Sequence, residues 1–253
     1  MSTKIFAVLN LSAESPQSDS VVSSAHAACA RIHNLLDAGA DFVDIGGRSS
    51  GSKTIMISDE LEQSRLKAVF DLTDSAEILP LSLDTWSPET AIKFLNKIQV
   101  LNYTSTDFPE PFLHAVSAAK CKLVLNYSSA LNPYALRSAE CKPFNQDEVV
   151  RYFENKLELL QKNGVNVLAI DPNLGVWHRD VANAEKPQLQ RKIIECIPTL
   201  KKIAPVFIVA PRIVAVNSPG TLNLELTKMI LNQGVDYIRT HDLPQIKTLI
   251  QRG

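Results

Sequence analysis

The chain has almost no net charge. Its 253 residues include 26 Lys and Arg and 27 Asp and Glu, for a formal charge of −1. This balance provides no overall attraction to nucleic acids or anionic membranes, so an anionic ligand must be held by a local cluster. The apolar stretches are too short to span a bilayer, and the first of them is too short for a signal peptide. We therefore expect a cytoplasmic protein that binds neither nucleic acid nor membrane.

Cysteine is scarce, and its spacing carries little information. The four cysteines lack a CxxC pair or a metal-ligand spacing, which argues for reduced thiols and against a structural zinc site. The sequence also lacks low-complexity tracts, repeats of fixed length and Gly- or Pro-rich linkers. Since hydrophobic residues make up 45% of the chain, we expect one globular domain over residues 1–253.

The chain does contain eight short apolar segments, separated by stretches long enough for a helix. They are KIFAVLN, DFVDIGG, LPLSLDT, QVLNYTS, KLVLNYS, VNVLAIDP, PVFIVAPR and YIRTHD. Alternating strand and helix signals predict a parallel sheet, and eight repeats close a single α/β (β/α)8 TIM barrel. We expect strands that end near residues 10, 46, 85, 104, 127, 171, 211 and 241.

Nearly every apolar segment ends on a polar residue. The carboxyl ends of barrel strands form one face, on which catalytic groups from different strands converge. Asp84, Asn102 and Asp171 end strands three, four and six. Ionised Asp only accepts hydrogen bonds whereas Asn both donates and accepts, so this set suits a flat heterocycle with several N–H donors. The alternative is that these groups cap strand ends or the helices that follow.

A second polar group comes from strands one and eight, which are neighbours in a closed barrel. Arg239 offers a planar fork to phosphate, His241 can add a charge-assisted bond, and Asn10 can ligate Mg²⁺ through oxygen. These residues predict a phosphate or diphosphate site with Mg²⁺. The competing interpretation is a salt bridge from Arg239 to Asp44 or Asp242.

Taken in order, the segments resemble those of dihydropteroate synthase along essentially the whole chain. The matching motifs are FAVLNLSAES, GADFVDIGGRSS, LSLDT, VLNYTS, AIDPNLG and GVDYIRTHDL. GADFVDIGG together with the closing IRTHD is a specific pair, whereas LSLDT alone is weak. The resemblance implies a homodimer of the folate pathway that binds a pterin diphosphate and p-aminobenzoate and uses Mg²⁺.

The resemblance also assigns roles to residues. It implies that Asp84, Asn102 and Asp171 hold the pterin ring, and that Asn10, Arg239 and His241 hold diphosphate and Mg²⁺, with Asn10 as the metal ligand. The remaining implied substrate-binding residues are Ser50 and Arg212, and the implied catalytic residues are Asp84, Asp171 and Arg239. In the family reaction, the amine of p-aminobenzoate displaces diphosphate from the pterin CH₂ group.

The departures from the family pattern concentrate on the p-aminobenzoate side. The seventh strand of the family ends in Ser-Arg-Lys-Ser, but this chain has Pro211-Arg212-Ile213-Val214. Apolar side chains thus replace the lysine that would reach the pterin and the serine that would hold the benzoate. In the first loop, Glu14 and Pro16 replace an aspartate and an aromatic residue.

Further departures lie in the second loop and after strands four and six. Arg48 replaces a glutamate and the following Arg-Pro-Gly is absent, while Tyr103 and Asn173 replace an aspartate and a glycine. Four hypotheses remain open. The first is a divergent synthase in which Lys53 or Arg48 replaces the lost cation, and the second is a pterin-binding paralogue with another acceptor or none. The third is a pterin-dependent methyltransferase, and the fourth is a non-enzymatic binder. The closing IRTHD favours the synthase lineage.

Overall fold

The computed structural model describes residues 2–15, 21–22, 24–51, 55–73, 79–119, 121–139, 144–174, 185–212 and 219–252. Strands and helices alternate along these residues. The strands are β1 (Lys4–Asn10), β2 (Phe42–Gly46), β3 (Leu81–Thr85), β4 (Val100–Tyr103), β5 (Lys122–Asn126), β6 (Asn166–Asp171), β7 (Phe207–Val209) and β8 (Tyr237–Thr240). The helices are α1 (Ala25–Asp37), α2 (Asp59–Phe70), α3 (Pro88–Phe94), α4 (Glu110–Ala119), α5 (Pro133–Leu136), α6 (Gln146–Lys162), α7 (Lys186–Leu200), α8 (Pro219–Asn232) and α9 (Leu243–Arg252).

The eight strands form one parallel sheet in the order β6-β5-β4-β3-β2-β1-β8-β7. A bridge between Ile170 and Val206 joins the two ends of this order, and the Ile170 backbone N–H donates to the Pro205 carbonyl at 2.9 Å. The sheet is therefore a (β/α)8 barrel, as predicted. Each strand ends within two residues of its predicted end.

Serine side chains begin three of the helices that flank the barrel. The hydroxyl oxygens of Ser24, Ser58 and Ser87 accept hydrogen bonds from backbone N–H groups in the first turns of α1, α2 and α3. Such a cap contributes about 1 kcal/mol to helix stability. The chain leaves α1 and α6 through Gly39 (φ +93°) and Gly164 (φ +71°), because a residue without Cβ adopts the left-handed conformation without strain.

An apolar layer fills the barrel below the polar ends of the strands. It consists of five buried side chains from different strands: Phe6, Val100, Val124, Ala169 and Phe207. The Phe6 ring stacks on Phe42 with centroids 4.5 Å apart and meets Phe207 edge-on at 5.0 Å. The barrel is therefore a packed core, and a ligand must bind at its mouth. Within the described residues, no helix is long and apolar enough to cross a membrane.

Gly47, directly after β2, lies in tight contact with α2. A Cβ atom at this position would lie 2.8 Å from Glu62 Cγ and 3.1 Å from the Glu62 carbonyl oxygen. We predict that Gly47→Ala lowers the free energy of unfolding by about 1–3 kcal/mol, because helix and loop must move apart. Urea denaturation measures this change.

Gly220→Ala is the matched control, since a Cβ on Gly220 meets no described atom within 4 Å. This change in the first turn of α8 should be neutral or slightly stabilising, because alanine has the higher helix propensity. Equal stability of the two variants would contradict the packing argument.

Candidate active site

A buried ion-pair cluster lies at the carboxyl ends of β2, β3 and β8. Arg239 Nε donates to Asp44 Oδ2 at 2.5 Å, and Arg239 Nη2 donates to Asp84 Oδ2 at 2.6 Å. The Asp44 side chain is fully buried, whereas 16% of the Arg239 side chain and 19% of the Asp84 side chain are exposed. Arg239 and Asp84 are therefore the parts of this cluster that a ligand at the barrel mouth can contact.

Asp44 also accepts hydrogen bonds from side chains of β3 and β4. Ser82 Oγ donates to Asp44 Oδ1 at 2.5 Å, and Asn102 Nδ2 donates to Asp44 Oδ2 at 3.1 Å. Asn126 Nδ2 in turn donates to Asn102 Oδ1 at 2.9 Å. The sequence-based set of site residues omitted Asp44 and Asn126, although each is a polar residue within one of the eight apolar segments, which was the signal that could have identified them.

Asp171 ends β6 beside this network and is 5% exposed. Its Oδ1 accepts the backbone N–H of Asn173 at 2.8 Å, and Asn173 has a φ of 63°. The alternative interpretation, that such groups cap the ends of strands, therefore applies to Oδ1 of Asp171. Asp171 is also in register with Asn126 of β5, and Asp84 with Asn102 of β4, so Asp84, Asn102 and Asp171 lie at the same end of the barrel.

Burial raises the pKa values of two site carboxyls. Loss of solvent raises the pKa of Asp84 to about 7; the Arg239 charge opposes this rise, and Asp44 and Glu62 add to it. Burial likewise raises the pKa of Asp171 to about 7, against the hydrogen bond from Asn173. A ligand that donates N–H groups to these carboxyls would favour their ionised forms.

The Arg239 guanidinium remains charged in this environment. Burial alone would lower the pKa of Arg239, but the carboxylates of Asp84 and Asp44 raise it above its ordinary value. Its two hydrogen bonds to these carboxylates leave further N–H groups of the guanidinium for a ligand. A permanent cation therefore lies between two acidic side chains at the floor of the mouth.

Arg239 connects the two residue sets predicted from the sequence, since it belongs to the set from strands one and eight and bonds to Asp84 of the other set. The predicted alternative, a salt bridge to Asp44, is present, whereas Asp242 Oδ1 accepts from the Gln245 backbone N–H at 3.0 Å at the start of α9. Asn10 and Asp84 lie on either side of Gly46, on the two strands that flank β2: a Cβ on Gly46 would lie 3.6 Å from Asn10 Oδ1 and 3.9 Å from Asp84 Cβ. Because Arg239 bonds to Asp84, the residues predicted to hold the diphosphate and those predicted to hold the pterin ring are contiguous.

The other predicted residues lie around the rim. His241 directly follows β8, Ser50 lies in the loop after β2, and Arg212 follows β7; all three are partly buried. Lys53, Ile213 and Val214 lie outside the described residues.

Arg48 belongs to a separate buried network. It donates to Asp59 and Glu62, and its guanidinium lies 4.8 Å from the centre of the Trp86 ring. Glu62 also accepts from the hydroxyl of Thr85 at 2.9 Å. Because these partners hold Arg48 against α2, the structure does not support the hypothesis that it replaces the strand-seven lysine.

A parallel eight-stranded barrel with carboxylate, carboxamide and guanidinium groups at its carboxyl face defines a (β/α)8 protein with a polar ligand site. The chain belongs to the pterin binding enzyme family, whose model matches residues 6–241. Among curated proteins, it is similar to dihydropteroate synthase type-1 of Escherichia coli. The two are 26% identical over an alignment of 267 positions, which covers 97% of this chain and 91% of the relative.

Solved structures share the fold. The dihydropteroate synthase from Anaplasma phagocytophilum with bound 6-hydroxymethylpterin-monophosphate aligns with a TM-score of 0.79 at 23% identity, over 100% of this chain and 98% of that one. The Yersinia pestis dihydropteroate synthase with a sulfonamide drug complex aligns with a TM-score of 0.80 at 19% identity, over 99% of this chain and 92% of that one.

Proposed function

We propose that the protein is a dihydropteroate synthase-like transferase of folate biosynthesis. It would join a pterin-CH₂ diphosphate to p-aminobenzoate and release diphosphate. The observation that carries this proposal is the Asp44–Arg239–Asp84 cluster, with Asn102 and Asp171 beside it. This arrangement offers hydrogen-bond acceptors to a heterocycle and a fixed cation to an anion within one mouth.

The pterin ring would bind to Asp84, Asn102 and Asp171. These buried groups accept from ring N–H donors, and Asn102 can also donate to a ring nitrogen or carbonyl. Hydrogen bonds to ionised carboxylates are roughly twice as strong as those between neutral groups. The partial exposure of Asp84 supports direct contact with the ring.

The diphosphate would bind next to Asn10, Arg239 and His241, with Ser50 and Arg212 at the rim. Mg²⁺ ordinarily keeps several waters and takes one or two protein oxygens together with substrate phosphates. The carboxamide oxygen of Asn10, at the end of β1, fits such a partial ligand set. Bound Mg²⁺ would supply positive charge to the leaving group.

In the reaction, the bond between the pterin CH₂ carbon and the diphosphate oxygen breaks, and its electron pair leaves with diphosphate. The amine nitrogen of p-aminobenzoate bonds to the carbon and loses a proton. Arg239 would stabilise the charge that develops on the leaving group. Asp84 and Asp171 would hold the ring while its carbon becomes electron-poor.

Asp171→Asn should weaken pterin binding by about 1–3 kcal/mol, because a charged acceptor in a buried site is lost. Asparagine keeps an oxygen for the Asn173 N–H, so the turn after β6 is retained. Calorimetry at pH 8 with 6-hydroxymethylpterin measures the effect. Asp242→Asn, which alters the carboxylate that caps α9, is the control and should leave the affinity unchanged. Unaltered affinity in Asp171→Asn would count against this role.

On the acceptor side, we predict slow turnover of p-aminobenzoate and weak competition by sulfonamides. Ile213 and Val214 cannot pair with a carboxylate, and loss of a charged hydrogen bond costs about 1.5–3 kcal/mol. The double change Ile213→Lys with Val214→Ser should therefore increase kcat/KM for p-aminobenzoate by about one to two decades. If the wild type already turns over at about 1 s⁻¹ or faster and the double change adds nothing, this expectation is wrong.

Steady-state assays with the pterin diphosphate and p-aminobenzoate test the proposed function itself. Release of diphosphate together with formation of a pterin–benzoate conjugate supports the synthase. Pterin binding without turnover would favour the paralogue or binder, and methyl transfer would favour the methyltransferase. A homodimer and a cytoplasmic location are further parts of the proposal.

A further inference from the structure

A directional chain of hydrogen bonds runs across the site from β2 to β5. It begins at Asp44, passes through the carboxamides of Asn102 and Asn126, and ends at the backbone carbonyl of Tyr103, to which Asn126 Nδ2 donates at 3.1 Å. A backbone carbonyl only accepts hydrogen bonds, and the Asp44 carboxylate accepts while it is paired with Arg239. Both ends of the chain are therefore acceptors.

These fixed ends determine the orientation of both carboxamides. Asn126 must direct its NH₂ group toward Tyr103, and the same nitrogen lies 2.9 Å from Asn102 Oδ1. Asn102 must then direct its own NH₂ group toward Asp44. If the Asn102 amide were reversed, its oxygen would face the Asp44 carboxylate and its NH₂ group would face that of Asn126, giving two repulsive contacts.

The orientation matters because Asn102 is only 2% exposed and Asn126 only 5%. Solvent cannot readily compensate for a buried carboxamide that points the wrong way. With one N–H of Asn102 bonded to Asp44 and one lone pair bonded to Asn126, the remaining N–H and lone pair are what the residue can offer a ligand. Their order across the mouth is fixed by the chain.

We propose that Asn126 is a positioning residue that acts through Asn102. Together with Asp44, it fixes the order in which the site presents a donor and an acceptor, and thereby selects a heterocycle edge with an acceptor nearer β2 and an N–H donor nearer β5. The inference rests on the proposed pterin-binding function, because it assigns the orientation of that same ligand.

A double-mutant cycle tests the proposal. Asn126→Leu keeps the approximate shape of the side chain but removes its donor, and should weaken the binding of 6-hydroxymethylpterin monophosphate about tenfold. In an Asn102→Ala background, the same change should have almost no further effect, because the group it orients is absent. Calorimetry on the four proteins gives the coupling.

Tyr152→Phe is the matched control for loosening of the β5 end. Tyr152 Oη donates to the backbone carbonyl of Asn126 at 2.9 Å, so its loss perturbs the same residue without altering either carboxamide. This variant should melt at a lower temperature yet bind the pterin like the wild type. An affinity loss in Tyr152→Phe similar to that in Asn126→Leu would overturn the positioning role.

The ligand-free protein provides a second readout, which separates this inference from the proposed function. Asn126→Leu leaves Asn102 held by Asp44 alone, so the Asn102 side-chain amide signals should shift and broaden relative to the single sharp pair of the wild type; Asn126→Ala replaces the leucine variant if that does not fold. Losses that add in the cycle, or a single unchanged pair in the variant, would refute the inference. If the wild type binds no pterin but the Asn126 variant still shows the NMR change, only the proposed function is refuted.

Discussion

Asp44→Ala is expected to lower the free energy of unfolding by about 3–5 kcal/mol, the range for removing one partner of a buried ion pair. The Asp44 side chain is completely buried and accepts from Arg239, Ser82 and Asn102. Alanine would leave these three donors facing a small cavity without an acceptor. Urea unfolding monitored by circular dichroism measures the loss.

Asp71→Ala is the control, because Asp71 pairs with Lys67 on the surface of α2 and both side chains are more than half exposed. Such pairs contribute about 0–1 kcal/mol. A loss below about 1 kcal/mol for Asp44→Ala would mean that the Arg239 charge is held by Asp84 alone.

Arg239→Lys is expected to lower kcat/KM for the pterin diphosphate by about 10²–10³-fold. The guanidinium donates to Asp44 and Asp84 through two nitrogens at once and would also contact the leaving group. An ammonium is a point charge and cannot reproduce that fork, although it keeps the charge balance of the cluster. Removal of one preorganised donor to a developing negative charge costs a comparable factor in other enzymes.

Steady-state kinetics with saturating p-aminobenzoate measures this change, and thermal unfolding checks that the variant is folded. Arg191→Lys serves as the control, since Arg191 pairs with Glu225 between α7 and α8 on the outside of the barrel. Turnover within a factor of about three of the wild type in Arg239→Lys would remove Arg239 from the proposed catalytic residues.

Position in the sequence was sufficient to place Asp84, Asn102 and Asp171 at the strand ends, but it missed Asp44 and Asn126 and could not determine the partners of any of them. Asp84, Asn102 and Asp171 meet because parallel strands bring their carboxyl ends to one face. Arg239 was predicted as an anion ligand, and its bond to Asp44 was considered only as an alternative. Whether the guanidinium turns toward carboxylates or away from them depends on side-chain reach across strands far apart in the chain.

The role of Arg48 depended even more on tertiary contacts. Its position in a substituted motif suggested a replacement cation for the active site. Its partners are Glu62 and Asp59 on α2 and the ring of Trp86, which follows β3. A buried guanidinium binds the nearest acceptors that burial makes available, and sequence spacing does not identify them.

The sequence by itself determined the eight-fold alternation, the ends of the strands and the residue types at the mouth. These features follow from local periodicity and from turn and capping chemistry. They also follow because parallel strands all place their carboxyl ends on the same face of the barrel. Only the tertiary structure decided that Asp44 accepts from three side chains, that Asn126 donates to Asn102 and that Arg239 bridges two carboxylates. Hydrogen-bond direction and burial are properties of the packed barrel, because each depends on atoms contributed by several strands at once.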